Sequence, residues 1–129
     1  MGTQAFIAYS IPQSDAHMVY ELGELLERQG YTVVYNYKHP DHPKGQHMYD
    51  EVSLSGIYVG LITSQIHWQE VIQLFQYAKS QHIPAVILKE DKINLPGNFS
   101  RDPDIITYRR FMPENPIQRI ELWVSHQFR

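Results

Sequence analysis

GIYVGLITSQIHWQEVIQLFQYAKSQHIPAVIL, residues 56–88, sets two apolar runs on either side of a segment with helical spacing. The runs at 56–62 and 83–88 are apolar at consecutive positions, which is typical of strands buried on both faces of a parallel sheet. Residues 68–81 predict a helix between them, and Pro84 marks the start of the second strand. One face of that helix carries apolar residues at three- and four-residue spacing: Val71, Ile72, Phe75 and Ala78.

Three further apolar runs extend this pattern along the chain, at residues 5–9, 31–35 and 105–108. The segment between the first two has helical spacing, and Gly30 stands where the end of a helix favours left-handed backbone. Its apolar positions recur every three or four residues: Met18, Val19, Leu22, Leu25 and Leu26.

Two more helices complete the alternation of strands and helices. Residues 48–54 predict a short one, and another begins near Pro116, since proline suits the first helical position. This second helix has an apolar stripe: Ile117, Ile120, Trp123 and Val124. The alternation predicts an α/β, flavodoxin-like three-layer sandwich, in which a five-stranded parallel sheet has the common order 2-1-3-4-5.

Length and composition exclude several classes of protein. With 129 residues, 43% of them hydrophobic, residues 1–129 are expected to form a single domain. The absence of cysteine excludes disulfides, thiolate catalysis and cysteine-based zinc sites. A net charge of -3 argues against a nucleic-acid partner. The apolar runs are far shorter than the ~20 residues that span a bilayer, so we expect no membrane association and a cytoplasmic location.

The predicted topology nominates a site at the carboxyl edge of the sheet. In the order 2-1-3-4-5, ligands bind where the strand order reverses, between the first and third strands. The segments that follow these strands are residues 10–14 and 63–67. They predict a crevice, or alternatively a packing interface, lined by six residues: Tyr9, Ser10, Thr63, Ser64, Trp68 and Glu70.

Several short segments resemble Toll/interleukin-1 receptor (TIR) domains. AFIAYS at residues 5–10 and LLERQGY at 25–31 resemble the first strand and helix of that family, and PKG at 43–45 resembles its loop after the second strand. GLITS at 60–64 looks like the family's third strand, which ends in serine, and IPAV at 83–86 is similar to the proline-containing fourth strand. The resemblance covers nearly the whole chain and implies the same flavodoxin-like fold.

The resemblance also implies an activity, because many TIR domains cleave the nicotinamide–ribose bond of NAD. They hydrolyse it or cyclise the ADP-ribose into a signalling nucleotide, in immune or antiphage defence. A carboxylate beside the ribose stabilises the positive charge of the transition state. Glu70 is the only acidic residue in residues 63–81 and is the candidate catalytic group. The family, however, places its glutamate four residues after a tryptophan, and here Ile72 holds that position relative to Trp68.

Other interpretations of these residues remain open. A glutamate in the first turn of a helix is stabilised by the helix dipole and needs no catalytic role. Trp68 shares a face with Ile72 and Phe75, which favours a place in the core over stacking on a nucleotide ring. The chain could also be a nucleoside deoxyribosyltransferase-like enzyme, although the serine-glycine-threonine that usually precedes the glutamate in that family is missing.

The main alternative to an enzyme is a non-catalytic module that assembles signalling complexes through the loop at residues 38–46. Its candidate contact residues are Lys38, Pro43, Lys44 and Gly45. The resemblance implies self-association, binding to other TIR-like domains, or a link to a sensor domain or protein. No cofactor is expected, because NAD would be the substrate. Four residues near this loop could suggest a metal site, but their spacing matches no zinc pattern and favours solvated side chains: His39, Asp41, His42 and His47.

Overall fold

The structure is a computed structural model of the chain. It describes most of the sequence in segments: residues 4–10, 16–35, 46–65, 68–97, 99, 101–109 and 115–127. Five strands are described: β1 (Gln4–Tyr9), β2 (Thr32–Tyr35), β3 (Ile57–Ile62), β4 (Ala85–Glu90) and β5 (Ile105–Tyr108). A helix follows each of the first three strands, as predicted, but no helix is described between β4 and β5. Four helices are described: α1 (Ala16–Arg28), α2 (Gln46–Ser53), α3 (Gln69–Ser80) and α4 (Pro116–His126).

The strands form one parallel sheet in the order β2-β1-β3-β4-β5, which confirms the predicted topology. All four strand pairs are parallel, so every strand ends at the same edge of the sheet. Three register pairs lie close to that edge: Tyr9 with Leu61, Ile62 with Lys89, and Glu90 with Tyr108. The order reverses between β1 and β3, as the sequence predicts.

Each face of the sheet has its own hydrophobic core. The first core lies under α1 and α4 and includes Ile7, Val59, Leu88, Leu22 and Ile120. The second core lies under α2 and α3 and includes Phe6, Tyr58, Ile87, Val52 and Phe75. Because side chains alternate along each strand, neighbouring residues of β1, β3 and β4 enter different cores. The two faces of the central strands are therefore both buried, which explains their consecutive apolar residues.

The fourth strand differs from the sequence prediction at both ends. It begins at Ala85 and continues past Leu88 through Lys89 and Glu90. These two charged residues directly follow the apolar run in the sequence, which is why the prediction stopped before them, yet their exposed fractions are only 9% and 3%. Lys89 tolerates this position because its ammonium group donates hydrogen bonds to two backbone carbonyls, those of Glu90 (3.1 Å) and Ile93 (2.7 Å).

Candidate functional site

Glu70 is the second residue of α3 and lies in its first turn, half-buried. This turn follows the carboxyl end of β3, which is one of the two strands between which the strand order reverses. Backbone N–H groups of a first helical turn point toward the helix start, where they favour negative charge. The position of Glu70 in the helix is the predicted one, and its catalytic role remains a prediction.

A buried tyrosine lies beneath the first turn of α3. Tyr58, the second residue of β3, is 0% exposed, and its hydroxyl donates a 2.6 Å hydrogen bond to the carbonyl oxygen of Val71. Burial raises the pKa of Tyr58 well above its ordinary value, and the negative charge of Glu70 and the hydroxyl of Tyr49 raise it further. The phenol therefore remains protonated near the carboxylate of Glu70.

Gly60 allows α3 to approach the sheet closely at this point. A Cβ atom added at Gly60 would lie 2.8 Å from Cγ1 of Val71 and 3.1 Å from Cγ1 of Ile87. It would also lie 3.5 Å from Cε1 of Tyr58, so the ring passes alongside the bare backbone of Gly60. Any larger residue would push the first turn of α3 away from β3.

Trp68 immediately precedes α3 and is half-buried against the second core. Its backbone carbonyl accepts a hydrogen bond from the N–H of Ile72 at 3.1 Å. As the N-cap residue it makes no side-chain capping bond, since indole has no acceptor for the exposed N–H groups. This packing supports the interpretation of Trp68 as part of the core.

The structure places the ring of Tyr9 on the opposite face of the sheet from α3. Tyr9 packs against the first core and meets Tyr35 edge to face, with ring centroids 6.3 Å apart. Ser10, which follows it, is buried at 1% exposure. Of the six candidate crevice residues, Glu70 and Trp68 share the α3 side, and the ring of Tyr9 does not join them.

Thr63 and Ser64 follow β3 and are half-exposed, so both are accessible at the carboxyl edge of the sheet. The next residue, Gln65, fastens this segment to the one after β4. Its amide nitrogen donates to the carbonyl of Asn94 at 3.0 Å, and its amide oxygen accepts from the N–H of Asn94 at 3.0 Å. The sequence analysis missed this contact, because a single glutamine in a loop carries no pattern.

Two charged residues at the same edge also escaped the sequence analysis. Lys89 and Glu90 end β4, on opposite faces of the strand, and both are buried. Burial lowers the pKa of Lys89, while the negative charges of Asp91 and Glu90 partly offset that effect. The sequence signal that could have predicted them is a Lys-Glu pair directly after an apolar run, since ligands of parallel sheets bind at the carboxyl ends of the strands.

Some predicted residues lie outside the described part of the chain. These are the proposed contact residues Lys38, Pro43, Lys44 and Gly45, and three of the four metal candidates, His39, Asp41 and His42. The backbone of His47 is described as the second residue of α2. Within the described segments, no helix has both the length and the apolar character needed to cross a membrane.

Comparisons with known proteins identify the fold. No protein-family model matches the sequence, and no curated protein matches it either. Among solved structures, the crystal structure of the RPS4 and RRS1 TIR domain heterodimer is similar, with a TM-score of 0.61 at 15% identity, covering 95% of this chain and 97% of that one. BcmB, a CMP N-glycosidase from Clostridium botulinum, has a TM-score of 0.60 at 13% identity, covering 91% of this chain and 98% of that one. The chain therefore has a TIR-like α/β fold, which extends over nearly its entire length.

Proposed function

We propose that the protein cleaves the N-glycosidic bond between nicotinamide and ribose in NAD, with Glu70 as the catalytic carboxylate. The observation that carries this proposal is the place of Glu70 in the first turn of α3, the helix that follows β3, and β3 is one of the two strands at the point where the strand order reverses. Such switch points are where ligands bind in open parallel sheets. A TIR domain and a nucleotide N-glycosidase have the same fold, which supports chemistry at a nucleotide's glycosidic bond.

The reaction makes modest demands on the protein. As the bond between C1′ and the ring nitrogen breaks, nicotinamide leaves as a neutral ring that needs no proton. Positive charge then develops on the ribose, as in glycoside hydrolysis. The ionised carboxylate of Glu70 would stabilise that charge and accept hydrogen bonds from the ribose hydroxyls. Water, or a hydroxyl of the same molecule in cyclisation, then attacks C1′ and releases one proton.

The test is the release of nicotinamide by the native protein and by Glu70→Gln. Glutamine keeps the shape of the side chain and removes its charge, so we expect the rate to fall by on the order of a hundredfold or more. Concentrated protein is incubated with NAD, with and without a crowding agent, and nicotinamide is quantified by chromatography. Glu121→Gln, at an exposed position of α4 on the other face of the sheet, is the matched control. Undiminished release by Glu70→Gln overturns the role of Glu70.

A nucleoside monophosphate is the second candidate substrate. The similarity to BcmB, whose name gives CMP as its substrate, supports this alternative. Its reaction differs in the leaving group, because the cytosine ring of CMP is uncharged and must take up a proton to leave as a neutral base, whereas the cationic nicotinamide ring of NAD leaves without one. Release of cytosine from CMP without release of nicotinamide from NAD would favour this candidate and retain Glu70 as the carboxylate.

A non-catalytic assembly module is the third candidate, and the similarity to a TIR heterodimer supports it. It predicts that the protein associates with itself or with other TIR-like domains and releases no base from either nucleotide. Analytical ultracentrifugation beside the two release assays separates this candidate from the enzymes. Association without base release, also in the presence of the crowding agent, favours the module.

A further inference from the structure

A buried hydroxyl of the sheet contacts the first turn of α3, the turn that carries Glu70. Tyr58 donates its 2.6 Å hydrogen bond to Val71, the residue directly after Glu70. The start of α3 has no side-chain cap, since Trp68 occupies the N-cap position. This turn therefore lacks a side-chain bond from its N-cap residue, and the contact with Tyr58 lies where it would compensate for that bond.

The ring of Tyr58 is itself held on two sides. It stacks on Phe6 of β1 with centroids 6.0 Å apart and an angle of 9° between the rings. It also packs against Phe75 of α3 at 6.3 Å and 42°. Gly60 leaves room for the ring to pass along the strand and for Val71 to approach it. Because these contacts immobilise the ring, the hydroxyl of Tyr58 can hold the first turn of α3 in one position.

We propose that Tyr58 is a positioning residue for Glu70, which it serves by holding the first turn of α3 through the carbonyl of Val71. This inference rests on the proposed function of Glu70. Tyr58 touches neither substrate nor reacting atoms, so it acts on the reaction only through the location of the carboxylate. A misplacement of a catalytic group by about 1 Å is enough to lower a rate by up to about a hundredfold.

The first test is hydrogen exchange, which needs no activity. Tyr58→Phe removes one oxygen atom and keeps the ring, so amides of residues 72–75, the first ones bonded within the helix, should exchange about 5- to 10-fold faster, as expected for one lost hydrogen bond. Amides of residues 77–80, in the last turn of the same helix, should exchange at the native rate. Tyr77→Phe is the matched control, because the Tyr77 hydroxyl has no hydrogen bond in the described part of the chain. Native exchange in residues 72–75, or equal acceleration in both turns and across the sheet, overturns the proposal.

The second test is a double-mutant cycle on nicotinamide release. Tyr58→Phe should lower kcat by about 10- to 100-fold with little change in KM, since the substrate still binds while the carboxylate is misplaced. In the Glu70→Gln background the same substitution should change kcat by less than about twofold, because the group it positions is already inactive. Equal losses in both backgrounds overturn action through Glu70.

The two tests separate the failure of this inference from the failure of the proposed function. If the native protein releases no nicotinamide, or if Glu70→Gln retains the native rate, the proposed function is wrong. The exchange pattern then decides by itself whether Tyr58 holds the turn that carries Glu70. Uniform exchange rejects that claim, and faster exchange confined to residues 72–75 supports it.

Discussion

His82 is the only residue other than glycine with a positive φ, 59°, among the described residues. It follows α3, where two bonds close the helix: His82 N–H donates to the carbonyl of Lys79 at 3.1 Å, and the N–H of the next residue, Ile83, donates to that of Ala78 at 2.9 Å. This is the Schellman arrangement, in which glycine is the common residue. The strained backbone of His82 therefore has a structural origin in the way the helix ends.

Gly30 occupies the equivalent place after α1, with φ of 97°. Since glycine adopts this backbone without steric cost, His82→Gly should raise the free energy of unfolding by about 0.5–1 kcal/mol. Gly30→Ala should lower it by about 1–2 kcal/mol for the same reason. Urea unfolding at constant pH measures both. A less stable His82→Gly protein would show that contacts of the imidazole outweigh the backbone strain.

The raised pKa of Tyr58 predicts that the free energy of unfolding depends on pH. Its folded-state pKa lies above 10.0, the value expected in the unfolded chain, because burial disfavours the phenolate. Above pH 10 the unfolded state binds fewer protons than the folded state, so the stability contributed by the neutral phenol is lost as the pH rises. The destabilisation caused by Tyr58→Phe should therefore shrink by about 1.4 kcal/mol per pH unit above 10. A destabilisation that stays constant up to pH 11 would contradict this assignment.

Among the elements, β3 and α3 pack closely against each other at the candidate site. Gly60→Ala would set a methyl group against Cγ1 of Val71, at a distance of 2.8 Å, and should lower the free energy of unfolding by about 1–3 kcal/mol. Val71→Ala removes that atom and should recover part of the loss, so the double variant should be more stable than the sum of the single effects. Simple additivity in urea unfolding would show that α3 shifts freely to accommodate the methyl group.

Patterns within an element were visible in the sequence, and contacts between elements were not. Consecutive apolar residues in 5–9 and 56–62 predicted strands buried on both faces, and the structure confirms both. The end of β4 was missed because hydropathy classes Lys89 with exposed residues, although backbone carbonyls satisfy its ammonium group. The support that Tyr58 gives to Val71 also has no sequence signal, since it depends on how far α3 lies from the sheet.

At the scale of the whole molecule, the switch point between β1 and β3 was predictable and the arrangement of side chains around it was not. Topology alone brings the segments after these strands to one edge. Which face each side chain takes depends on the parity of its position along the strand, and this separates the ring of Tyr9 from the side of Glu70. The sequence therefore predicts at which edge of the sheet a site would lie, and the structure places its candidate residues on two faces of the sheet.

Association between copies provides a test at this scale. If neighbouring copies complete the site, nicotinamide release per mole of protein should rise severalfold as the concentration increases from about 1 to about 100 μM. Sedimentation over the same range should show the weight-average mass rising in parallel. A rate per mole that stays constant while the mass rises would show that one copy contains the whole site.

The buried ammonium group of Lys89 makes the carboxyl edge of the sheet chemically measurable. Amine-acylating reagents can reach it only in molecules whose β4 end has opened, whereas Lys92, three residues on, is exposed. Burial lowers the pKa of Lys89, so a larger fraction of its amine is in the neutral, reactive form. Slow acylation of Lys89 would therefore reflect poor access of the reagent, since protonation alone would make Lys89 the faster of the two. We expect Lys89 to be acylated on the order of a hundredfold more slowly than Lys92, as measured by peptide mass spectrometry. The rate of Lys89 acylation divided by that of Lys92 would then measure how often this edge opens in the intact protein. A nucleotide that binds at the edge should lower this ratio.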